Sequence, residues 1–177
     1  MFSGLDLRSG YFQLPIQEES QEKTAFTCLS LGQQFCIKVT SQGLTSAPAS
    51  FARTMQRTFN KQIARNDLEV YLDDVLAYSK DHTEMLTTLD EALNNLTESG
   101  MKINLEKCQF GIEKLTYLGF ELNKDGFKPD PINSEGITKV NYPSTLKGIR
   151  SFLGMTNFYR LLIPKFSQLL KPLTKLT

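Results

Sequence analysis

Val70-Tyr71-Leu72-Asp73-Asp74-Val75-Leu76 sets two adjacent carboxylates inside a run of Val, Leu and Tyr. Upstream, Phe2-Ser3-Gly4-Leu5-Asp6-Leu7 puts a third aspartate at the end of another short apolar run. Both runs read as buried strands. Carboxylates among apolar side chains are expensive to desolvate unless something positive compensates them. Hard divalent cations, which prefer carboxylate oxygens, are the simplest compensation. Two such ions on shared carboxylates are the standard apparatus of in-line phosphoryl transfer.

Working outward, the first forty residues read as strands and turns. Phe2 to Leu7 is a strand, Arg8-Ser9-Gly10 a turn, and Tyr11 to Ile16 an edge strand marked by Pro15. Lys23–Leu29 and Gln34–Val39 predict a hairpin around Ser30-Leu31-Gly32-Gln33. A helix follows, capped by Thr45 or Ser46, with Pro48 in its first turn, and runs to about Arg65. Leu68–Leu72 and Val75–Ser79 predict two strands, with Asp73-Asp74 at or beside their turn. His82 to Glu98 carries a helical apolar face, His82 helps start it, and Gly100 suits its left-handed C-terminal position. Leu115–Leu122 predicts a strand ended by Asn123-Lys124-Asp125-Gly126. Pro129, Pro131 and Pro143 mark a linker-like stretch, and Ser144–Arg160 and Pro164–Thr174 predict helices. The pattern places a boundary near residue 130.

At 177 residues the chain can build one ordinary domain with a small appendage. No run approaches the length of a membrane span, and the first residues lack the pattern of a signal peptide. Cys28, Cys36 and Cys108 lack metal-ligand spacing and read as reduced, buried thiols of an intracellular, cytoplasmic protein that is not secreted. The near-neutral total hides an asymmetry. Residues 1–100 hold eight Lys/Arg against thirteen Asp/Glu, and residues 101–177 hold twelve against six. A basic C-terminal part suits phosphates, or is simply a solvated helical surface.

Five motifs occur in the order and spacing of reverse transcriptases, which this chain resembles over nearly its whole length. They are Leu5-Asp6-Leu7-Arg8-Ser9-Gly10-Tyr11, Gln42-Gly43-Leu44-Thr45-Ser46-Ala47-Pro48-Ala49-Ser50-Phe51, Tyr71-Leu72-Asp73-Asp74, Lys107-Cys108-Gln109-Phe110 and Tyr117-Leu118-Gly119-Phe120. The closing stretch Leu146–Arg160 resembles the polymerase of Gypsy-type retrotransposons. The Tyr-Leu-Asp-Asp motif alone reads as a polar hairpin turn. Together with Asp6 and the other motifs it reads as catalytic.

The resemblance implies an α+β polymerase palm with an antiparallel sheet backed by helices. Residues 1–130 would form this palm, with partial fingers over about 12–40, and residues 131–177 a small helical thumb-like segment. It implies RNA-directed DNA polymerase activity, adding dNTPs to a primer 3′-hydroxyl on an RNA or DNA template. Asp6, Asp73 and Asp74 would hold two Mg2+ ions, or Mn2+, as catalytic residues. Lys107 would protonate leaving pyrophosphate, unless it is an ordinary surface lysine. Leu7, Tyr11, Gln42 and Gly43 would meet the nucleotide. Tyr11 would exclude a 2′-hydroxyl, although alone it reads as a core tyrosine. Tyr71, Leu118, Gly119, Lys147 and Arg150 would meet primer and template. The closing Phe152, Leu153, Phe158 and Tyr159 read as thumb core rather than stacking platforms.

Thr40-Ser41-Gln42-Gly43 departs from the Met-Pro-Phe-Gly usual in Gypsy-type elements, and its glutamine is more like retroviral polymerases. In the family, fingers precede the first aspartate, and RNase H and integrase accompany the polymerase in a Pol polyprotein. The chain therefore reads as a fragment without its N-terminal fingers, one expected to polymerise poorly by itself. A different class of function, a catalytically inactive remnant binding nucleic acid or a protein partner, is the alternative.

Overall fold

A computed structural model describes residues 1–177, apart from the side chains of Asn133, Ser134 and Thr138. The first strand, β1 (Phe2–Asp6), buries Ser3 and Leu5 and turns Phe2, Gly4 and Asp6 to its other face. A 3-10 turn (Gly10–Gln13), a short helix α1 (Glu18–Gln21) and a hairpin of β2 (Phe26–Cys28) and β3 (Gln33–Phe35) follow. Helices α2 (Ala47–Thr58) and α3 (Asn60–Arg65) lead into the hairpin of β4 (Leu68–Tyr71) and β5 (Asp74–Tyr78). Helix α4 (His82–Glu98) returns the chain to β6 (Gln109–Ile112). The rest comprises β7 (Leu115–Tyr117), β8 (Phe120–Asn123), β9 (Gly126–Pro129), α5 (Pro131–Thr138), α6 (Leu146–Phe158) and α7 (Phe166–Thr174).

The chain divides into two compact units, Met1–Leu115 and Thr116–Thr177. In the first, four antiparallel strands lie in the order β4-β5-β1-β6. Leu5 and Leu7 meet Val75 and Ala77 of β5, Phe51, Met55 and Phe59 from the α2 segment, and Met85, Leu89, Ala92 and Leu96 of α4. Phe51, Met55 and Phe59 recur at intervals of four, which stacks them on one helical face. This is the α+β arrangement expected from the sequence, an antiparallel sheet backed by helices. Asp81 caps α4 by accepting the Glu84 N–H at 2.9 Å, and Gly100 sits just beyond that helix at φ 70°.

Several local expectations change. Tyr11–Ile16 is not one edge strand, because residues 10–13 coil into the 3-10 turn and the Tyr11 ring packs on Phe51 with centroids 5.1 Å apart. Extended pairing survives only further on, where Thr40 N–H donates to Leu14 O at 2.7 Å and Ile16 N–H to Lys38 O at 2.9 Å. The helix expected to run to Arg65 breaks at Phe59 (φ −108°), whose side chain is wholly buried. Ser46 occupies the cap position of α2 without a side-chain cap bond. The strand expected over Leu115–Leu122 turns at Leu118 and Gly119, where φ is 49° and 80°. Asp130 caps a helix, α5, where the prolines suggested a linker; Pro131 stands in its first turn, where no N–H is required. Cys36 is exposed, and Cys28 and Cys108 are only half-buried.

In the second unit, Phe120 stacks on Phe158 at 5.1 Å and meets Tyr159 edge-on at 5.7 Å and Phe127 at 5.7 Å. This cluster groups residues 116–129 with the helices, ahead of the boundary drawn near residue 130. Tyr159 is buried, but Phe158 is 52% exposed and packs through part of its surface. No described helix is long and apolar enough to cross a membrane.

Phe51 supports both the core and the 3-10 turn. Phe51→Ala is expected to lower the unfolding free energy by about 3–5 kcal/mol, read from urea denaturation. A loss below about 1 kcal/mol would show that the pocket closes without the ring.

Candidate active site

The β1–β5 register sets Asp6 directly opposite Asp74, and the β4–β5 register sets Tyr71 opposite Asp74. Directly opposed residues share a face. Tyr71, Asp74 and Asp6 therefore form a row across three adjacent strands, on the face of β1 turned away from Leu5 and Leu7. Tyr71 is 56% exposed, so the row opens outward.

Asp73 belongs to the two-residue loop between Tyr71 and Asp74. Leu72, the first loop residue, adopts φ 54°, a left-handed conformation that a branched side chain takes at a cost of about 1–2 kcal/mol. The loop is tied to the end of β1, where Leu7 N–H approaches the Asp73 carbonyl at 3.4 Å. Gly10 completes the enclosure. A Cβ there would lie 2.8 Å from Phe51 Cζ and 3.2 Å from Asp73 Cβ. The glycine thus lets the turn after β1 run against Asp73. Sequence reading assigned Gly10 only to a turn.

The electrostatics follow from this crowding. Partial desolvation, then the charges of Asp73 and Asp6, push the Asp74 carboxyl above its ordinary value of 3.8, while Lys107 opposes the rise. Lys107 Nζ stands 3.9 Å from Asp6 Oδ2. Among the described residues, no group of three or more His, Cys, Asp or Glu side chains forms a ready metal cage. Magnesium does not need one, since it is commonly held by one or two carboxylates together with substrate phosphates. Asp6 and Asp74, opposed on one face, could supply that pair of carboxylates, with Asp73 in the adjoining loop.

The other expected site residues fall into two groups. In the first unit, Tyr11 is half-buried against Phe51, so its ring is fixed rather than free. Gln42 and Gly43 lie in an exposed turn. Gly43 has φ 95° with open space around a would-be Cβ, so backbone conformation rather than crowding selects glycine there. Leu7 is 2% exposed, and its side chain belongs to the core rather than to a ligand surface. In the second unit, Leu118 and Gly119 form a two-residue turn between adjacent strands. Lys147 and Arg150 are both exposed on α6, three residues apart and so on one side of the helix.

Sequence reading missed the turn that grips Asp6. Asn104 N–H donates to Asp6 O at 2.8 Å, and Asp6 N–H reaches Cys108 Sγ at 3.5 Å. The only local signal was the position of Cys108 beside Lys107.

The reverse transcriptase (RNA-dependent DNA polymerase) family matches residues 1–122. A retrovirus-related Pol polyprotein from transposon 297 of Drosophila melanogaster is 36% identical over 173 residues, 98% of this chain and 16% of that polyprotein. The foamy viral protease-reverse transcriptase in complex with double-stranded DNA superposes with a TM-score of 0.87 at 30% identity, covering 98% of this chain and 30% of that one. Its structure in complex with an RNA/DNA hybrid gives 0.82 at 30% identity, over 98% of this chain and 23% of that one.

A raised Asp74 carboxyl binds its proton more tightly in the folded chain than in the unfolded one. Its contribution favours folding below pH 3.8 and is lost as pH rises through the folded-state value. Asp74→Asn is expected to raise the thermal midpoint of the metal-free chain at neutral pH and to change it little near about pH 3. Scanning calorimetry at the two pH values tests this, and an equal shift at both would contradict it.

Proposed function

Because the chain belongs to the reverse transcriptase family, we propose that it is the catalytic core of an RNA-directed DNA polymerase of a Gypsy-type LTR retrotransposon. The observation that carries this reading is the row of Tyr71, Asp74 and Asp6 with Asp73 in the adjoining loop. The chain spans 16% of the transposon 297 polyprotein it resembles, and in this reading it works with the fingers, RNase H and integrase of a Pol polyprotein.

In this reading Asp6, Asp73 and Asp74 are the carboxylates that hold a pair of divalent cations, magnesium by preference. When bound, those ions lower the pKa of the primer 3′-hydroxyl and neutralise the charge of the triphosphate and leaving pyrophosphate. The chain's own residues do the positioning. The strand pairing fixes Asp6 against Asp74, and Gly10 keeps the following turn close to Asp73. Tyr11, braced by Phe51, presents a ring to the sugar and excludes a 2′-hydroxyl. Gln42 and Gly43 offer an exposed turn to the incoming dNTP. Lys107 places an ammonium where it can stabilise and protonate pyrophosphate. Tyr71 and the Leu118–Gly119 turn meet the primer. The helices of 131–177 supply a thumb-like surface whose Lys147 and Arg150 contact template-primer phosphates. The foamy viral reverse transcriptase complexes with duplex DNA and with RNA/DNA hybrid support this choice of partner.

Polymerisation is tested by placing residues 1–177 in the corresponding segment of the transposon 297 polyprotein and measuring primer extension on a homopolymer RNA template. Magnesium-dependent extension is expected, falling about a thousandfold or more with Asp73→Asn. Extension indifferent to that substitution would sink the assignment.

Duplex contact has its own measurement. Lys147→Ala and Arg150→Ala should each weaken binding to an RNA/DNA hybrid of any sequence, and each should reduce the slope of log affinity against log salt by about one. Unchanged slopes would remove these residues from the interface.

A further inference from the structure

Asp6 is gripped by one turn, Asn104–Cys108, through both its backbone and its side chain. The Asn104 N–H holds the Asp6 carbonyl at 2.8 Å. The Asp6 N–H points to Cys108 Sγ at 3.5 Å, and the thiol donates to the Asn104 carbonyl at 3.2 Å. The Lys107 N–H donates to the same Asn104 carbonyl at 3.0 Å and closes the turn. These bonds take over beyond Gly4–Gln109, the last pair of the β1–β6 ladder. The turn therefore fixes the Lys107 backbone relative to Asp6, and the Lys107 ammonium lies 3.9 Å from the Asp6 carboxylate.

We propose that Lys107 is the resident counter-ion of the acidic cluster in the metal-free chain, and that its ammonium competes with the divalent cation for Asp6. The proposal rests on reading Asp6, Asp73 and Asp74 as the metal centre. Three neighbouring carboxylates repel one another, and an ammonium is a compact positive charge on a flexible stem. The Lys107 side chain is 65% exposed, so it can swing away without disturbing the core.

Competition couples metal loading to substrate. A bare cation must displace Lys107 and leave its ammonium without an anionic partner. A cation arriving with a triphosphate brings that partner with it, and Lys107 moves from Asp6 to the phosphates. The site then binds metal weakly when empty and firmly when the nucleotide is present. This differs from a lysine that only protonates pyrophosphate, which would leave metal affinity unchanged without nucleotide.

The test is direct Mn2+ binding, followed by the electron paramagnetic resonance signal of the free ion, with no nucleotide or nucleic acid present. The chain is compared with Lys107→Met, Lys107→Gln, Lys107→Arg and Asp6→Asn, each checked for fold by circular dichroism. Removing the charge with Met or Gln is expected to tighten Mn2+ binding about two- to fivefold, as befits an exposed pair, with the gain shrinking at high salt. Lys107→Arg, which keeps the charge, should bind no more tightly than the native chain. Native or weaker affinity in folded Lys107→Met and Lys107→Gln overturns the competition while leaving the metal centre intact. Mn2+ binding that ignores Asp6→Asn overturns Asp6 as a metal ligand and the competition with it, and no binding by any form overturns the competition alone, because removing the ammonium then frees no site for a bare cation.

Discussion

The pairing of β1 with β5 is the constraint on which the site depends. It is antiparallel and runs in register from Phe2–Tyr78 to Asp6–Asp74. The side-chain period of a strand is two, so a slip of one residue would exchange the faces. Leu5 and Leu7 would leave the core and Asp6 would enter it. Burial of Leu5, Leu7, Val75 and Ala77 therefore fixes the register, and the register fixes the carboxylates. The apolar face specifies the position of a polar site that it does not touch.

That arrangement places like charges together in a folded chain. The upward push on Asp74 shows the opposing field, and Lys107 is the described cation that answers it. Leu72 adds local backbone strain at the same hairpin. The apolar packing beneath, with Phe51, Met55 and Phe59 on one helix face and α4 beside it, offsets these unfavourable terms. Functional sites commonly concentrate such conflicts, and here charge crowding and a strained loop occur within one hairpin.

The second unit is organised differently. Aromatic rings gather around Phe120, whereas the first unit packs Phe51 and Phe59 among aliphatic side chains, and the second unit's basic side chains are exposed. Exposed lysine and arginine suit a polyanion because phosphate contact needs accessible charge rather than a fitted pocket.

Local sequence was sufficient for the elements that local chemistry specifies. The span of α4 follows from its apolar face, and Gly100 marks its end. The β4–β5 hairpin follows from two apolar runs flanking Asp73-Asp74, and the ordered motifs identified the family. Sequence also failed in definable places. Tyr11–Ile16 alternates like a strand, but Phe51 draws Tyr11 into a 3-10 turn. The prolines near 131 resembled a linker because a proline at a helix start and one in a loop look alike without the Asp130 cap. The opposition of Asp6 and Asp74, the close pass of Gly10 by Asp73 and the grip of Asn104 and Cys108 on Asp6 were decided only by tertiary structure. Each depends on which distant segment supplies the hydrogen-bond partner or fills the neighbouring space. Periodicity and spacing describe a segment's own preferences, and only the folded chain selects the partner.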